Sequence, residues 1–232
     1  MKRVALVAFA AVAIAAPASA ASLVNGGFEQ PGTANVVYLH HGSTFLPGWT
    51  VVDSLPGGDD EIAYQNSAAY GGLGVVSSEG AHFLELTGVV GRGKGVKSNA
   101  IDTVAGKTYR VGFDVGAFFI RGQGSYGDVT LDLRLDDALA GSFTNTLGLT
   151  AGGSDWQRFT YDFVATGPSV RLTFLASTAL TSSYLGAGLD NVTFDVVAAP
   201  PGAVPEPAAW ALMILGFSLA GAGLRRGRPA HA

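Results

Sequence analysis

Thr108-Tyr109-Arg110-Val111-Gly112-Phe113-Asp114-Val115 is the stretch that decides the fold. Tyr109, Val111, Phe113 and Val115 fall on one side of an extended chain, and Arg110, Gly112 and Asp114 fall on the other. A period of two means a strand with one face in a core and one face turned away from it. The pattern recurs at Val129, Leu131, Leu133 and Leu135. It recurs again at Phe159, Tyr161 and Phe163, then at Val170, Leu172 and Phe174, and last at Val192, Phe194 and Val196. Turn-forming clusters separate these runs: Pro31-Gly32, Pro56-Gly57-Gly58-Asp59, Ala105-Gly106-Lys107, Gly122-Gln123-Gly124 and Gly152-Gly153-Ser154-Asp155. Many half-buried strands with almost no helical periodicity predict an all-β protein, an antiparallel jelly-roll sandwich.

The two ends of the chain read differently. Met1 to Ala20 has a basic start at Lys2-Arg3, an alanine-valine run, and an Ala18-Ser19-Ala20 exit. That is the pattern of a secretory signal peptide, a substrate of signal peptidase. The β domain is expected over 21–198. Residues 199–207 follow as a stiff proline-rich linker, then 208–224 as an uncharged hydrophobic segment, and 225–232 as a basic tail. The apolar segment has the minimum length of a membrane-spanning helix, about 25 Å at 1.5 Å per residue. Arg225, Arg226 and Arg228 place its far end on the cytoplasmic side.

Composition excludes several functions. With the end segments removed, nine of the 14 basic residues and 17 of the 18 acidic residues remain, a net charge of −8. Such a domain repels phosphate backbones, so no nucleic-acid partner is expected. The chain has no cysteine, which removes disulfides, thiol catalysis and cysteine-ligated metals.

Two resemblances follow from motifs. Asn25-Gly26-Gly27-Phe28-Glu29, the Pro47-Gly48-Trp49 turn, Gly106-Lys107-Thr108-Tyr109 and the closing Leu189-Asp190-Asn191-Val192 occur in this order across the middle segment. In this the chain resembles the galactose-binding-like jelly rolls, in particular carbohydrate-binding modules, and a related family of plant cell-wall and bacterial surface proteins. The resemblance implies polysaccharide binding. It also implies a structural calcium ion held by Glu29, Asp190 and backbone carbonyls, which would clip the first strand to the last; two carboxylates plus carbonyls suit a cation that takes six to eight oxygens. At the other end Pro205-Glu206-Pro207, Trp210-Ala211, the apolar run and Arg225-Arg226 resemble the PEP-CTERM sorting signal. That resemblance implies recognition by an exosortase-type enzyme, transient anchoring in the inner membrane, and delivery to the cell surface or extracellular matrix, in a biofilm or exopolysaccharide setting.

Catalytic patterns are weak. Asp53-Ser54-Leu55 has Val52 where an esterase block has glycine, and no Gly-x-Ser-x-Gly elbow exists. His40 and His41 point to opposite faces of an extended strand, a poor chelate. Asp59-Asp60-Glu61 and Asp136-Asp137 are adjacent acids, most simply solvated loops, although separated carboxylates would be needed for glycoside hydrolysis. The expectation is therefore a non-enzymatic, exported polysaccharide-binding protein; the alternatives are a purely structural matrix protein and a cryptic glycoside hydrolase. Trp49, Arg121, Gln123 and Tyr126 are the candidate ligand-binding residues. Trp49 and Trp156 read first as core caps, whereas the Arg121–Tyr126 loop suits a site on flexible polar chain.

Overall fold

The structure, a computed structural model, describes residues 22–54, 61–70, 75–87, 93–119, 128–147, 153–177, 186–198 and 210–218. The strands in chain order are β1 (Val37–His40), β2 (Trp49–Asp53), β3 (Glu61–Asn66), β4 (His82–Glu85), β5 (Lys94–Ser98), β6 (Ile101–Asp102), β7 (Thr108–Phe119), β8 (Val129–Leu135), β9 (Ala138–Asn145), β10 (Gly153–Val164), β11 (Ser169–Val170), β12 (Leu172–Ala176) and β13 (Ala187–Val196). One helical turn, α1 (Ser67–Tyr70), follows β3.

Two sheets carry the domain. The larger has six strands in the order β1-β3-β4-β13-β7-β10, and the other has five in the order β2-β5-β12-β8-β9. A small ladder joins β11 to β6. Every pairing is antiparallel. The expectation of an antiparallel β-sandwich agrees with this architecture.

The alternating runs supply the core between the sheets. Val111, Phe113, Val115, Leu131, Leu133, Leu172 and Phe174 are completely buried. Phe113 is the centre of an aromatic cluster, edge-on to Phe143 at 5.0 Å and to Phe174 at 4.9 Å. Such edge-to-face contacts add to the area that these rings remove from water.

Three local features differ from simple alternation. The run through Val170, Leu172 and Phe174 is not one strand: it breaks at Arg171, whose N–H donates to Asp136 Oδ1 instead of a ladder partner. The ladder of β13 with β7 shifts register between Asp190 and Thr193. Val192 therefore turns into the core, and Val196 ends the strand 60% exposed. The Asp136-Asp137 pair is the two-residue turn between Leu135 and Ala138, with φ of 47° and 72°. Two positive φ values are those of a type I′ hairpin, which Asp tolerates. These acids serve the hairpin, and their adjacency has a conformational cause.

The chain divides into two compact units, Met1–Val197 and Ala198–Ala232. In the second, residues 210–218 are helical. No helix among the described residues is long and apolar enough to cross a membrane. The whole of the expected signal peptide, the Pro205-Glu206-Pro207 motif, both ends of the 208–224 segment and Arg225-Arg226 lie outside the described residues. Trp210 is the first residue of the described helical stretch and is 48% exposed.

Candidate functional site

Glu29 and Asp190, far apart in sequence, close on the same loop. The Glu29 carboxylate accepts hydrogen bonds from Ala81 N at 2.8 Å, His82 N at 2.9 Å and the His82 ring at 3.0 Å. The Asp190 carboxylate accepts from Ser78 N at 2.9 Å, Ser78 Oγ at 3.1 Å, Glu79 N at 3.0 Å and its neighbour Asn191 N at 2.7 Å. Gly80, at a φ of +60° that favours glycine, lies between them; a Cβ there would stand 2.2 Å from Glu29 Oε1. The opening segment is tied to the closing strand directly, through Val192 N donating to Gly26 O at 2.9 Å. The clasp between the first and last segments is thus present, built from backbone N–H groups around two carboxylates.

The electrostatics of the two acids differ. Burial works to raise the Glu29 carboxyl, but the His82 ring and the backbone donors outweigh it and leave the group below its ordinary range. Burial dominates at Asp190 and pushes its carboxyl up to about 7, against the pull of four donors. No group of three or more His, Asp or Glu side chains that could hold a metal ion occurs among the described residues. As ligands Glu29 and Asp190 present hard oxygens, but each oxygen faces N–H or O–H donors, so a cation would have to displace them.

His82 is 7% exposed. One ring nitrogen faces Glu29. The other lies 3.0 Å from both Thr33 N and Thr33 O, and 3.1 Å from Asn66 Nδ2. The ring also stacks on Tyr64, at 5.2 Å. This imidazole is spent on holding loop 29–33. His40 pairs with Glu61 at 3.3 Å, and the His41 ring accepts from Asp53 N at 3.1 Å, so the adjacent pair indeed divides between two partners.

Trp49 is not a ligand platform. It is 2% exposed, its ring packs against Phe28 and Phe174, and its N–H donates to Val24 O and Asn25 O. The Pro47-Gly48 turn delivers it inward: a Cβ on Gly48 would stand 2.7 Å from that of Val24. The core-cap reading holds for Trp49, and it leaves the list of ligand candidates. Arg121, Gln123 and Tyr126 lie outside the described residues.

The outward face of the six-stranded sheet holds a feature that the sequence motifs miss. Register places Tyr38 opposite Ala63, Ala63 opposite Glu85, Glu85 opposite Gly188, Gly188 opposite Gly116, and Gly116 opposite Trp156. One row therefore crosses all six strands, with an aromatic ring at each end, small residues between, and a carboxylate near the middle. At about 4.8 Å per strand the row spans about 24 Å. Tyr38 is 58% exposed. Trp156 lies over Gly116, where a Cβ would stand 2.7 Å from the indole. Phe83 meets the indole edge-on at 5.7 Å, and Val76 O accepts its N–H at 2.8 Å. Behind the row, Arg158 spans Asp114, Asn191 O and Thr193 Oγ1 at 3.2, 2.6 and 3.0 Å. Ser78 Oγ reaches Asp114 Oδ2 at 2.7 Å as well as Asp190. The same polar network thus holds the clasp loop and the floor beside the trough.

No protein-family model and no curated protein matches the sequence. Solved structures do. A cyclase, FisC from Fischerella sp. TAU, solved in complex with an indole compound, superposes with a TM-score of 0.52 at 18% identity, covering 78% of this chain and 98% of that one. At this identity the likeness shows a shared fold and nothing about activity. A module termed TmCBM61, solved with β-1,4-galactotriose, aligns over 76% of this chain and 99% of its own at 14% identity and a TM-score of 0.44. A CBM4 structure aligns over 76% and 100% at 19% identity and 0.36. These two scores are too low to carry an argument about this chain.

Proposed function

We propose that this is an exported, non-catalytic polysaccharide-binding protein of the galactose-binding-like jelly-roll type. The observation that carries this reading is the register row across the six-stranded sheet, with Tyr38 at one end and Trp156 at the other. A glycan needs flat apolar ring faces for its C–H surfaces and a few directed polar groups for its hydroxyls. The row has exposed Tyr38 at one end and half-buried Trp156 at the other, with buried Ala63, Gly188 and Gly116 between them, and a Glu85 carboxylate that accepts from Thr87 N. The frame from Asn25 to Glu29 and from Asp190 to Val192, with its resemblance to carbohydrate-binding modules, points the same way.

The non-catalytic part of the proposal is supported by what the titratable groups do. His82 is sealed in the clasp, Asp114 is engaged by Arg158 and Ser78, and Asp190 by four donors. Export by the N-terminal signal and sorting by an exosortase through Pro205-Glu206-Pro207, Trp210 and Arg225-Arg226 complete the reading. They place the domain on the cell surface or in an exopolysaccharide matrix. A calcium ion at Glu29 and Asp190 would lock the clasp only by displacing the N–H and O–H donors of residues 78–82; its support is the resemblance of the Asn25–Glu29 and Asp190–Val192 frame to carbohydrate-binding modules.

The test is a polysaccharide array probed with the full chain and with Trp156→Ala and Tyr38→Ala. Saturable binding that both substitutions weaken is expected. A flat response across all glycans overturns the binding reading and leaves the structural matrix role.

A further inference from the structure

The outward face of the five-stranded sheet carries a second row, independent of the trough. Register aligns Thr50, Lys97, Thr173 and Arg134 on β2, β5, β12 and β8. Their neighbours Val51, Val96, Phe174 and Leu133 are buried in the core, so these four project to the opposite face. Among the described residues, two buried side-chain polar atoms lack a hydrogen-bond partner, Thr173 Oγ1 and Arg134 Nε. They belong to partners in one row. Thr173 itself is only 4% exposed.

Unpartnered buried polar atoms are costly, and native proteins keep them where they serve a purpose. Here the pattern is specific. Arg134 Nε–H is a donor and nothing else, the Thr173 hydroxyl can donate, and Lys97 contributes an ammonium group. The three donors sit side by side on adjacent strands, so the missing partner is an acceptor, and the two positive charges favour an anion. The chain already supplies a stand-in: Asp137 holds Lys97 Nζ with both carboxylate oxygens at 2.8 Å, and Arg134 donates to the Asp137 carbonyl at 3.1 Å. Lys97 is 26% exposed and Asp137 69% exposed. An ion pair with so exposed a partner is weak and exchangeable.

We propose that the Lys97–Thr173–Arg134 row is a binding site for the carboxylate of an acidic sugar, with Asp137 as an internal competitor that the ligand displaces. The neighbouring polar groups suit a sugar ring: Thr50 lies in the row, and Asp132, paired with Ser142 at 2.6 Å, lies on the same face. Lys97 and Arg134 have long flexible stems that can swing from above Thr173 and close again on the ligand. No covalent step is involved.

The experiment titrates the full chain with a galacturonic acid hexamer, with the same hexamer reduced at its carboxyl groups, and with inorganic sulfate. The acidic hexamer binds with a salt-dependent affinity, and the reduced hexamer does not. Lys97→Met weakens binding about 10-fold or more and Thr173→Val about 5-fold, the range for losing one charged or neutral hydrogen bond. Asp137→Asn tightens it about 3-fold or more, by removing the competitor. This last variant alters an exposed side chain, so it keeps the test valid if Lys97→Met unfolds, which the melting temperature reports. Arg110→Gln removes a cation from the other sheet, outside the row from Tyr38 to Trp156, and leaves acidic-hexamer binding unchanged; binding of a neutral glycan is read separately, which separates failure here from failure of that row. Equal binding of the reduced hexamer, binding of sulfate only, no binding by either the native chain or Asp137→Asn, or an Asp137→Asn affinity no better than native overturns the proposal.

Discussion

Asp190→Asn gives a sharp test of the clasp. The native carboxyl is raised from an ordinary 3.8 to about 7, burial being the largest cause. A carboxyl whose pKa is higher in the folded state binds its proton more tightly when folded. Its contribution to stability is therefore complete below pH 4 and is lost as pH rises through 7. About 3 pH units at 1.36 kcal/mol each gives about 4 kcal/mol at most. For a domain of this size that is a fall of roughly 10 °C in melting temperature, at 2–4 °C per kcal/mol. An asparagine keeps one acceptor toward Ser78 and Glu79, and turns an N–H₂ toward the Asn191 N–H. It therefore costs about 1–3 kcal/mol for an unpaired donor, but does not titrate. The assay is melting temperature from pH 4 to pH 8 in chelator, native against Asp190→Asn. The native chain is the more stable at pH 4, and the gap closes toward pH 8. Other carboxylates cancel in the comparison, including Glu29, whose lowered value works in the opposite sense. A gap that stays constant over this range refutes the reasoning. Millimolar calcium adds a second reading: a cation on Asp190 holds it ionised and flattens the native curve.

Four other outcomes follow from the structure. Gly95→Ala would bring a Cβ within 1.7 Å of the Phe174 carbonyl oxygen and is expected to prevent folding, read by circular dichroism. Gly80→Ala forces a positive φ and a clash with Glu29; it costs about 2 kcal/mol or more, measured by denaturant unfolding. If calcium occupies the clasp, the melting temperature drops in chelator and recovers with added calcium in proportion to occupancy; an unchanged temperature removes the ion. Mass spectrometry of the mature protein is expected to find a C-terminus near Pro205-Glu206-Pro207; an intact Arg225-Arg226 tail contradicts sorting by cleavage.

Much of the fold was legible because burial on one face writes itself into sequence at every second residue. Tyr109 to Val115 and Val129 to Leu133 are the clear examples. Asn25 to Glu29 and Asp190 to Val192 were legible as a pair that meets, since their residues form the clasp. What that clasp uses to satisfy its carboxylates was not: residues 78–82 act through backbone N–H groups, which any sequence supplies. The break at Arg171 depends on a side-chain oxygen 35 residues away. The trough was hidden for a similar reason. It is made by register among residues as far apart in sequence as Tyr38 and Gly188, and half of it is alanine and glycine, which carry no chemical signature. Trp49 read as core cap and as ligand candidate at once, because an exposed platform and a core cap present the same residue type after a Pro-Gly turn; its neighbours in space, Phe28 and Phe174, decide for the core.

The most direct measurement is calorimetric titration of the full chain with the best glycan from the array, native against Trp156→Ala and Trp156→Phe. The account predicts a loss of affinity of at least about 10-fold in the alanine variant, the value of one stacked ring, with substantial retention in phenylalanine and unchanged stoichiometry. Native affinity in Trp156→Ala, with the domain still folded, contradicts a binding site in the trough.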